Sequence, residues 1–435
     1  MSDHNVWRNW GRNETCEPAA IEHPRSELEV VEVLRRARAA GQRVKVAGSG
    51  HSFTAAACTD GRMLSLERLD RVVGVDAQAG TITVEGGITI RRLNQELAER
   101  GLALANLGDI DKQSMAGAIA TGTHGTGSAF GGLATFVRDL DLFTADGERV
   151  HCSLDEEPEV FHAARVGLGA LGVVTRLTLQ CVPAFNLHHV ERPRRFADVI
   201  SELDDAVETN DHFEFYWLPH TDSCSIIANN RTDEPAHSKS AYKTWRAEVF
   251  YPNFFFGALV AAGKRLPSTV PRIAQLVAGT LGATDLVGRS DRVLVSTRLL
   301  RFVEMEYAIP REHAVEAVLA VREFIEDEGH RVSFPIEVRF VAADDIPLSM
   351  AYGRDTCFVA VHQARGVPYE PYFRGVEAIM DRFGGRPHWG KVHFQSAATL
   401  APRYPEWARF SGVRARLDPD GVFANDYLDR VLGSH

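Results

Sequence analysis

Two stretches rich in glycine and other small residues place the strongest constraint on the fold of this chain. Because their side chains are small or absent, the backbone itself is exposed to a neighbouring group. The first is Ala47-Gly48-Ser49-Gly50-His51-Ser52, which directly follows a predicted strand, Val44–Ala47. Glycine allows successive backbone N–H groups to turn toward one point, which creates an anion site suited to a pyrophosphate. The alternative is an ordinary tight turn with no ligand.

The common phosphate-binding loops do not match this stretch. A Walker A loop needs a Gly-Lys-Ser/Thr sequence, and no lysine follows here. A Rossmann loop needs a third glycine that opens a helix, and Phe53 stands in that place. The stretch therefore matches neither of these loops, and an anion site and an ordinary turn both fit it.

The second stretch runs from Ser114 to Gly127 and combines glycines, alanines and hydroxyl side chains. Small residues allow a flat or charged ligand to approach the backbone, and hydroxyls supply hydrogen bonds. Its candidate cofactor-binding residues are Ser114, Gly117, Thr121, Gly122, Thr123 and His124. Together, the two stretches predict a dinucleotide-type cofactor.

The remaining pattern predicts an α+β protein. Residues 26–41 predict a helix that begins with a capping box at Ser26 and Glu29, and residues 90–100 predict an amphipathic helix. Further predicted strands are Thr81–Glu85, 172–182, 303–309, Ile336–Val341 and 358–362. Residues 1–185 are expected to form a first domain, residues 186–394 a second, and residues 395–435 to return to the first after a turn at Leu417–Gly421.

Composition excludes several partners. The net charge of −10 disfavours nucleic acid and anionic lipid. The longest apolar stretch, Phe254–Ala262, is too short to span a bilayer and predicts a buried helix or a subunit contact, with a membrane-surface contact as the alternative. The beginning of the sequence resembles no secretory signal, and the six cysteines lack CxxC spacing, so a cytoplasmic location is expected.

These features resemble the FAD domain of the vanillyl-alcohol-oxidase type of flavoproteins, and most closely its aldonolactone oxidase branch, which includes gulonolactone and arabinonolactone oxidases. The resemblance extends from Trp10 to Leu432 and is weakest over residues 231–300. Besides the glycine stretches, it rests on Asn9-Trp10, Cys16-Glu17-Pro18, Ala57-Cys58-Thr59-Asp60-Gly61, Asn106-Leu107-Gly108, Thr144-Ala145-Asp146-Gly147, Phe213-Glu214-Phe215-Tyr216-Trp217, Glu337-Val338-Arg339-Phe340, Arg386-Pro387-His388-Trp389-Gly390-Lys391 and Leu417-Asp418-Pro419.

The resemblance implies a two-part FAD-binding domain and a cap domain with an antiparallel sheet flanked by helices. It implies FAD linked covalently through His51 to the flavin 8α-methyl group, whereas the alternative is a histidine that only packs in the loop. It adds Val173 and His388 to the cofactor-binding residues. No cysteinyl second link is expected, because the second stretch has no cysteine.

Glu337 and Arg339 are two residues apart on a predicted strand, so their side chains share one face. Opposite charges on a buried strand require a mutual pair or a ligand, and either explanation fits the sequence. The resemblance implies that both residues are catalytic and bind substrate over the flavin ring.

Further catalytic and substrate-binding roles come from the same resemblance. It implies that Lys391 lies near the flavin pyrimidine edge, where a cation stabilises the reduced flavin. Asp109 and His362 are candidate substrate-binding residues, although His362 fits a structural histidine equally well. His388 and His393 match no metal-ligand pattern, so no metal is expected.

The implied activity is oxidation of a sugar-1,4-lactone at C2, by hydride transfer to flavin N5, with hydrogen peroxide formed when O₂ is the acceptor. The proton is handled by Glu337 or Lys391. Gly108 favours oxygen as the acceptor, because the resemblance places it near the reacting edge of the flavin. The alternatives are an alditol oxidase acting on xylitol or sorbitol, a lactone dehydrogenase with another acceptor, and a non-catalytic nucleotide-binding module.

Overall fold

Helices and strands alternate through the first 180 residues of the chain, and the α+β class predicted from the sequence is confirmed. The structure is a computed structural model that describes residues 5–237 and 253–434. The α-helices of these residues are Glu27–Ala39, Ile90–Glu99, Met115–Ala120, Pro158–Ala164, Phe196–Ser201, Leu203–Thr209, Phe256–Arg265, Val270–Ala278, Ser290–Val293, Ala314–Asp327, Glu370–Asp381, Ala397–Leu400, Trp407–Leu417 and Asp426–Leu432.

Two sheets form the first part of the molecule. The three-stranded parallel sheet has the order Ala20–Glu22, Arg62–Ser65 and Val44–Ala47. The five-stranded antiparallel sheet has the order Arg149–Ser153, Val137–Phe143, Val173–Gln180, Thr81–Glu85 and Val72–Asp76. Short two-stranded ladders join Trp7–Arg8 to Thr15–Cys16 and Leu102–Ala103 to Val182–Pro183.

The helix Glu27–Ala39 begins as the sequence predicted, because the Ser26 hydroxyl accepts the backbone N–H of Glu29. The return half of the capping box differs slightly. The Glu29 carboxylate accepts the backbone N–H of Arg25, one residue before the cap. The helix packs its Val30, Leu34 and Ala37 side chains against the three-stranded sheet.

An eight-stranded antiparallel sheet forms the second part. Its strands are, in order, Thr284–Arg289, Asn186–Arg195, Ser223–Thr232, His212–Trp217, Ile336–Val341, Thr356–Ala364, Phe302–Pro310 and Arg386–Pro387. Helices Leu203–Thr209, Ala314–Asp327 and Glu370–Asp381 contribute to the apolar core on one face of this sheet.

The last part of the chain packs back on the first. Phe410, Leu428 and Val431 belong to the core of the five-stranded sheet. The Lys45 ammonium donates to the backbone oxygens of Phe423 (3.0 Å) and Gly169 (3.1 Å). The predicted turn at Leu417–Gly421 is present, since the Asp418 carboxylate accepts two backbone N–H groups just beyond it and Gly421 has a φ of 65°. The exact boundaries 185/186 and 394/395 stay a prediction.

The apolar stretch Phe254–Ala262, predicted to form a buried helix or a subunit contact, is largely helical and partly buried. It enters the helix Phe256–Arg265, but this helix is buried along one face only. Val260 is buried near Phe334, whereas Phe254 is 55% exposed. In the two ranges that the structure describes, no helix has the length and apolar character needed to cross a bilayer.

Candidate active site

The central strands of the eight-stranded sheet have two chemically different faces. Alternate side chains point to opposite faces, and the antiparallel register aligns them across the strands. The apolar face carries Phe213, Phe215, Trp217, Val303, Met305, Tyr307, Ile336, Val338, Phe340, Cys357, Val359 and Val361. The polar face carries Glu214, Tyr216, Glu304, Glu306, Glu337, Arg339, Ala360 and His362. The apolar face packs on helices, so the polar face is available for chemistry.

Glu337 and Arg339 lie together on this polar face, as predicted, and form an ion pair with each other. Arg339 Nε also donates to Glu214 Oε2 at 2.9 Å, and the Tyr216 hydroxyl donates to Glu337 Oε1 at 2.9 Å. Burial raises the pKa of Glu214 to about 7, although Arg339 opposes this shift. The group is thus more than a single ion pair.

Asp109 joins this group from the first part of the molecule. Its carboxylate accepts Arg298 Nε at 2.9 Å, and its backbone oxygen accepts the N–H of Ser296 at 3.0 Å. Burial alone would raise the pKa of Asp109, but Arg298 and Arg339 lower it to about 2. A carboxylate and two guanidinium groups therefore face one another across the junction of the two parts.

Lys391 and His362 form a second row on the polar face. The Lys391 ammonium contacts the Glu304 carboxylate. His362 Nε2 lies 3.6 Å from Glu304 Oε1 and 3.9 Å from Glu337 Oε2. The structure therefore connects the two residues that the sequence offered as proton acceptors, Glu337 and Lys391, through two others.

His124 and His388 surround the next acid on the same strand, Glu306. His124 Nε2 lies 3.3 Å from Glu306 Oε1, and the His124 ring stacks on Phe358 with 3.7 Å between centroids. Burial lowers the pKa of His388 to about 3, and its Nδ1 accepts the backbone N–H of Gly390. His388 is therefore a neutral side chain that shapes the loop leading to Lys391.

The two glycine stretches meet each other. A Cβ atom added at Gly48 would lie 2.5 Å from Ser114 Oγ, and one added at Gly117 would lie 2.9 Å from the same oxygen. A side chain at either position would crowd the Ser114 hydroxyl, so the two stretches lie close to each other and border one shared space.

The N–H groups of the first stretch remain available to a ligand. Within the described residues, no hydrogen bond is donated by the backbone N–H groups of Ser49, Gly50, His51 or Ser52. Ser114 likewise makes no side-chain cap hydrogen bond to its own helix. Unpaired donors around a glycine-lined space fit the pyrophosphate of FAD, so these residues are suited to hold the cofactor.

His51 sits at the end of this space. Its ring stacks on Trp10 with 5.7 Å between centroids. Burial lowers its pKa to about 4, assisted by Lys112 and Lys391. The imidazole is therefore neutral near pH 7, and Lys391 is close enough to influence it. The backbone N–H of Phe53 donates to Gly390 O at 2.6 Å, which ties the loops of His51 and Lys391 together.

The second stretch is fixed to the polar sheet at its far end. Thr126 and Gly127 exchange hydrogen bonds with the backbone of Phe340, including Gly127 N to Phe340 O at 2.6 Å. His124 reaches Glu306 on another strand of that sheet. The cofactor stretches and the polar face therefore border the same region.

The other predicted cofactor residues differ in their hydrogen bonds, backbone conformation and burial. Thr121 Oγ1 donates to Gly117 O, and Thr123 Oγ1 accepts from Gln113. Gly122 has a φ of 75°, and Ala47 ends its strand. Val173 is fully buried in the core beside the helix Glu27–Ala39. Its cofactor role stays a prediction.

Gly108 is closely packed against the second stretch. A Cβ atom there would lie 3.0 Å from His124 O and 3.1 Å from Thr123 Cγ2. A side chain at this position would therefore press on the loop that carries His124.

Sequence reasoning missed five residues of the site: Glu214, Tyr216, Arg298, Glu304 and Glu306. Four of them have a signal in the sequence, because acids and a tyrosine alternate with apolar residues in residues 213–217 and 303–307. Arg298 has no such signal, since its partner is 189 residues away.

Two groups of side chains have the chemistry of metal ligands within the described ranges: His124, Glu306 and His388, and Glu304, Glu337 and His362. Both groups are already engaged in the contacts above. His393, in contrast, contacts Tyr427 through Nε2 at 3.0 Å. The expectation of no metal stays a prediction.

Comparison with known proteins agrees with this arrangement. A family model described as D-arabinono-1,4-lactone oxidase matches residues 177–431, and a model described as an FAD binding domain matches residues 18–153. L-gulono-1,4-lactone dehydrogenase of Mycobacterium tuberculosis is 47% identical over 428 residues, which cover 98% of this chain and 99% of that protein. L-gulonolactone oxidase of Bos taurus is 38% identical over 433 residues, which cover 98% of each chain.

Solved structures share the fold at low sequence identity. A solvent-stable cholesterol oxidase has a TM-score of 0.83 at 18% identity, covering 99% of this chain and 97% of that chain. A variant of cholesterol oxidase from Brevibacterium sterolicum has a TM-score of 0.82 at 17% identity, covering 98% and 97%. Because the lactone-oxidase model matches more than half of the residues and relatives align over nearly the whole length, this chain, with its FAD-binding domain, belongs to the D-arabinono-1,4-lactone oxidase family.

Proposed function

We propose that this protein is an aldonolactone oxidase, which oxidises a sugar-1,4-lactone of the L-gulono or D-arabinono type at C2. The observation that carries the proposal is the polar sheet face, where Glu337, Arg339 and Lys391 border the two glycine stretches. The names of the family and of its relatives identify the substrate class. The product is a 2-keto lactone that tautomerises to an ascorbate-type enediol.

FAD supplies a two-electron acceptor when it is bound. The N–H groups of residues 49–52 and the glycines at 48 and 117 accommodate its pyrophosphate. His51 is neutral near pH 7, so one imidazole nitrogen has a lone pair free to bond the 8α carbon of the flavin. This supports a covalent attachment at His51.

Substrate positioning falls to the charged residues of the polar face. Arg339 and Asp109 hold the lactone hydroxyls, because they approach the site from its two sides. Glu337 would accept the proton of the C2 hydroxyl, and bound FAD would supply the acceptor for the C2 hydride. The Lys391 ammonium would supply a cation that stabilises the reduced cofactor.

Two measurements test the proposal on the purified protein. Acid precipitation should give a yellow pellet, since a covalent flavin stays with the denatured chain. Anaerobic addition of L-gulono- or D-arabinono-1,4-lactone should bleach the flavin faster than xylitol or sorbitol does. A protein that stays colourless after FAD is supplied would refute the cofactor, and faster bleaching by the polyols would indicate an alditol oxidase.

The electron acceptor has two candidates. Oxygen, with hydrogen peroxide as product, is supported by glycine at position 108, where a side chain would press on Thr123 and His124. A dehydrogenase with another acceptor is supported by the name of the Mycobacterium tuberculosis relative. Peroxide formation in air, compared with turnover of a quinone-type dye, separates them.

The Gly108→Ala variant tests the oxygen argument directly. We expect oxidation of the reduced flavin by O₂ to slow about tenfold or more, because the added methyl group would press on Thr123 and His124 of the second glycine stretch, which borders the proposed cofactor space. Flavin reduction by the lactone should change far less. Reoxidation at the wild-type rate would remove the argument for position 108.

A cytoplasmic setting is part of the proposal. All six cysteines are free thiols, four of them buried, which suits a reducing compartment. Localisation of the tagged protein by fractionation tests this point.

A further inference from the structure

Glu304 lies between the proposed substrate side and the proposed flavin side of the site. It is 6% exposed and projects from the strand Phe302–Pro310 onto the polar face. One carboxylate oxygen contacts the Lys391 ammonium, and the other lies 3.6 Å from His362 Nε2. No part of the mechanism above uses this buried acid.

His362 is oriented as a proton carrier between two carboxylates. Its Nδ1 donates to Pro335 O at 3.2 Å, which fixes the ring. Its Nε2 then faces Glu337 Oε2 at 3.9 Å and Glu304 Oε1 at 3.6 Å. A nitrogen held between two carboxylates can accept a proton from one and donate it to the other.

Resting on the proposed function, we infer that Glu304 is the final proton acceptor for substrate oxidation and the positioning residue for Lys391. The proton of the C2 hydroxyl moves to Glu337, then to His362 Nε2, then to Glu304 Oε1. The hydride, with its electron pair, takes the separate route to the flavin. One proton and one hydride leave the substrate, so atoms and charge balance.

The contact with Lys391 links the proton to the electrons. When FAD is bound, Lys391 would be the cation that stabilises its reduced form. The same ammonium contacts the Glu304 carboxylate, so Glu304 would act on both the proton and the reduced cofactor.

The Glu304→Gln variant of the flavin-loaded protein tests this coupling, because it keeps the shape of the side chain but removes the charge. Two quantities are measured: the anaerobic rate of flavin reduction by lactone, and the flavin midpoint potential without substrate. We expect the rate to fall at least about tenfold, because a general acid–base group is worth 10²–10⁴-fold. We expect the potential to become more positive, since Lys391 loses its counter-ion.

These opposite movements distinguish the inference from simpler roles. A counter-ion without proton transfer would give a more positive potential and a faster reduction, and a structural residue would give no shift in potential. Either result overturns the inference. The matched control is Glu312→Gln, an exposed acid just beyond the same strand, which should leave both quantities unchanged.

Failure of the proposed function gives a different result: no lactone reduces the flavin of the wild-type protein. In that case the potential still reports on the contact between Glu304 and Lys391, and an unchanged potential overturns the inference alone. If Glu304→Gln does not retain flavin, the Glu304→Asp variant is used. Because this variant keeps the carboxylate, we expect flavin reduction to be slower than in the wild type but by less than about tenfold. A wild-type rate of reduction together with an unchanged midpoint potential would contradict the inference.

Discussion

Arg339 is a buried cation that interacts with three acidic side chains. Its guanidinium contacts Glu337 and donates to Glu214, and it also influences Asp109. Removing it leaves three carboxyl groups close together without their shared cation. The effect should therefore appear in substrate positioning rather than in the FAD-binding stretches, which lie on other elements.

The Arg339→Ala variant should slow anaerobic flavin reduction by lactone about 100-fold or more, because an oriented charged group is lost from the reaction site. The flavin content of the purified protein should stay within about twofold of wild type. Arg289→Ala, at an exposed arginine on the edge strand of the same sheet, is the control. Equal reduction rates for Arg339→Ala and wild type would refute the role of Arg339.

Gly48 tests the cofactor space at the same scale. In Gly48→Ala the new methyl group would lie 2.5 Å from Ser114 Oγ, so the Ser114 hydroxyl or one of the two stretches must move. We expect the FAD content of the purified protein to fall about tenfold. Gly74→Ala serves as the control, since nothing lies within 4 Å of a Cβ atom there. Full flavin content in Gly48→Ala would show that this space does not hold the cofactor.

At the scale of elements, alternate side chains of the strand His212–Trp217 point to opposite faces of the sheet. One face contributes to stability and the other to the proposed chemistry. Phe215 points into the apolar core, and Tyr216, the next residue, donates to Glu337 on the polar face. Phe215→Ala should cost about 3–5 kcal/mol of unfolding free energy. Tyr216→Phe should cost about 1 kcal/mol or less but slow flavin reduction.

Urea unfolding and stopped-flow reduction of both variants check this pair of predictions. If Tyr216→Phe proves the less stable protein, or if Phe215→Ala alone affects flavin reduction in folded protein, then the assignment of the two faces is wrong.

Local patterns predicted many elements well, and the reason is physical. The strands Val44–Ala47, Thr81–Glu85 and Ile336–Val341 occur at their predicted bounds, because β-branched residues and alternation define them locally. The strand predicted at residues 358–362 extends to Thr356–Ala364, since its flanking residues pair with neighbouring strands. Part of the region 231–300, residues 238–252, lies outside the described residues.

The site was only half predictable for a different reason. Glu337, Arg339 and Lys391 could be named as candidates from motifs, but the residues that they contact come from other strands and loops. Tyr216 meets Glu337 across 121 residues of sequence, and Arg298 meets Asp109 across 189. Such contacts are set by sheet register and by the docking of the two parts, which no local pattern encodes.

At the scale of the whole molecule, one buried histidine links the end of the chain to the active-site loop. His393 Nε2 contacts the Tyr427 hydroxyl, which donates to Trp389 O at 2.9 Å. Burial lowers the pKa of His393 to about 3, with Arg430 as a further cause. The folded protein therefore keeps this imidazole neutral at pH values where the unfolded chain protonates it.

Acid should weaken the fold through this group. Below pH 6.5 the unfolded chain binds a proton that the folded protein refuses until about pH 3, so stability falls with pH across that window. One such group contributes at most about 1.4 kcal/mol per pH unit. His393→Asn should reduce the difference between urea midpoints at pH 7 and pH 5. The exposed His237→Asn control should not, and equal behaviour of the two variants would contradict the prediction.

The contact between Tyr427 and the loop that leads to Lys391 has a consequence for biosynthesis. The glycine stretches near residues 48 and 117 leave the ribosome hundreds of residues before the helix Asp426–Leu432 that braces the opposite wall. A nascent chain consequently cannot form this contact until Tyr427 has left the ribosome. Substitutions and deletions at residues 426–432 should therefore be judged first by flavin absorbance and only then by turnover.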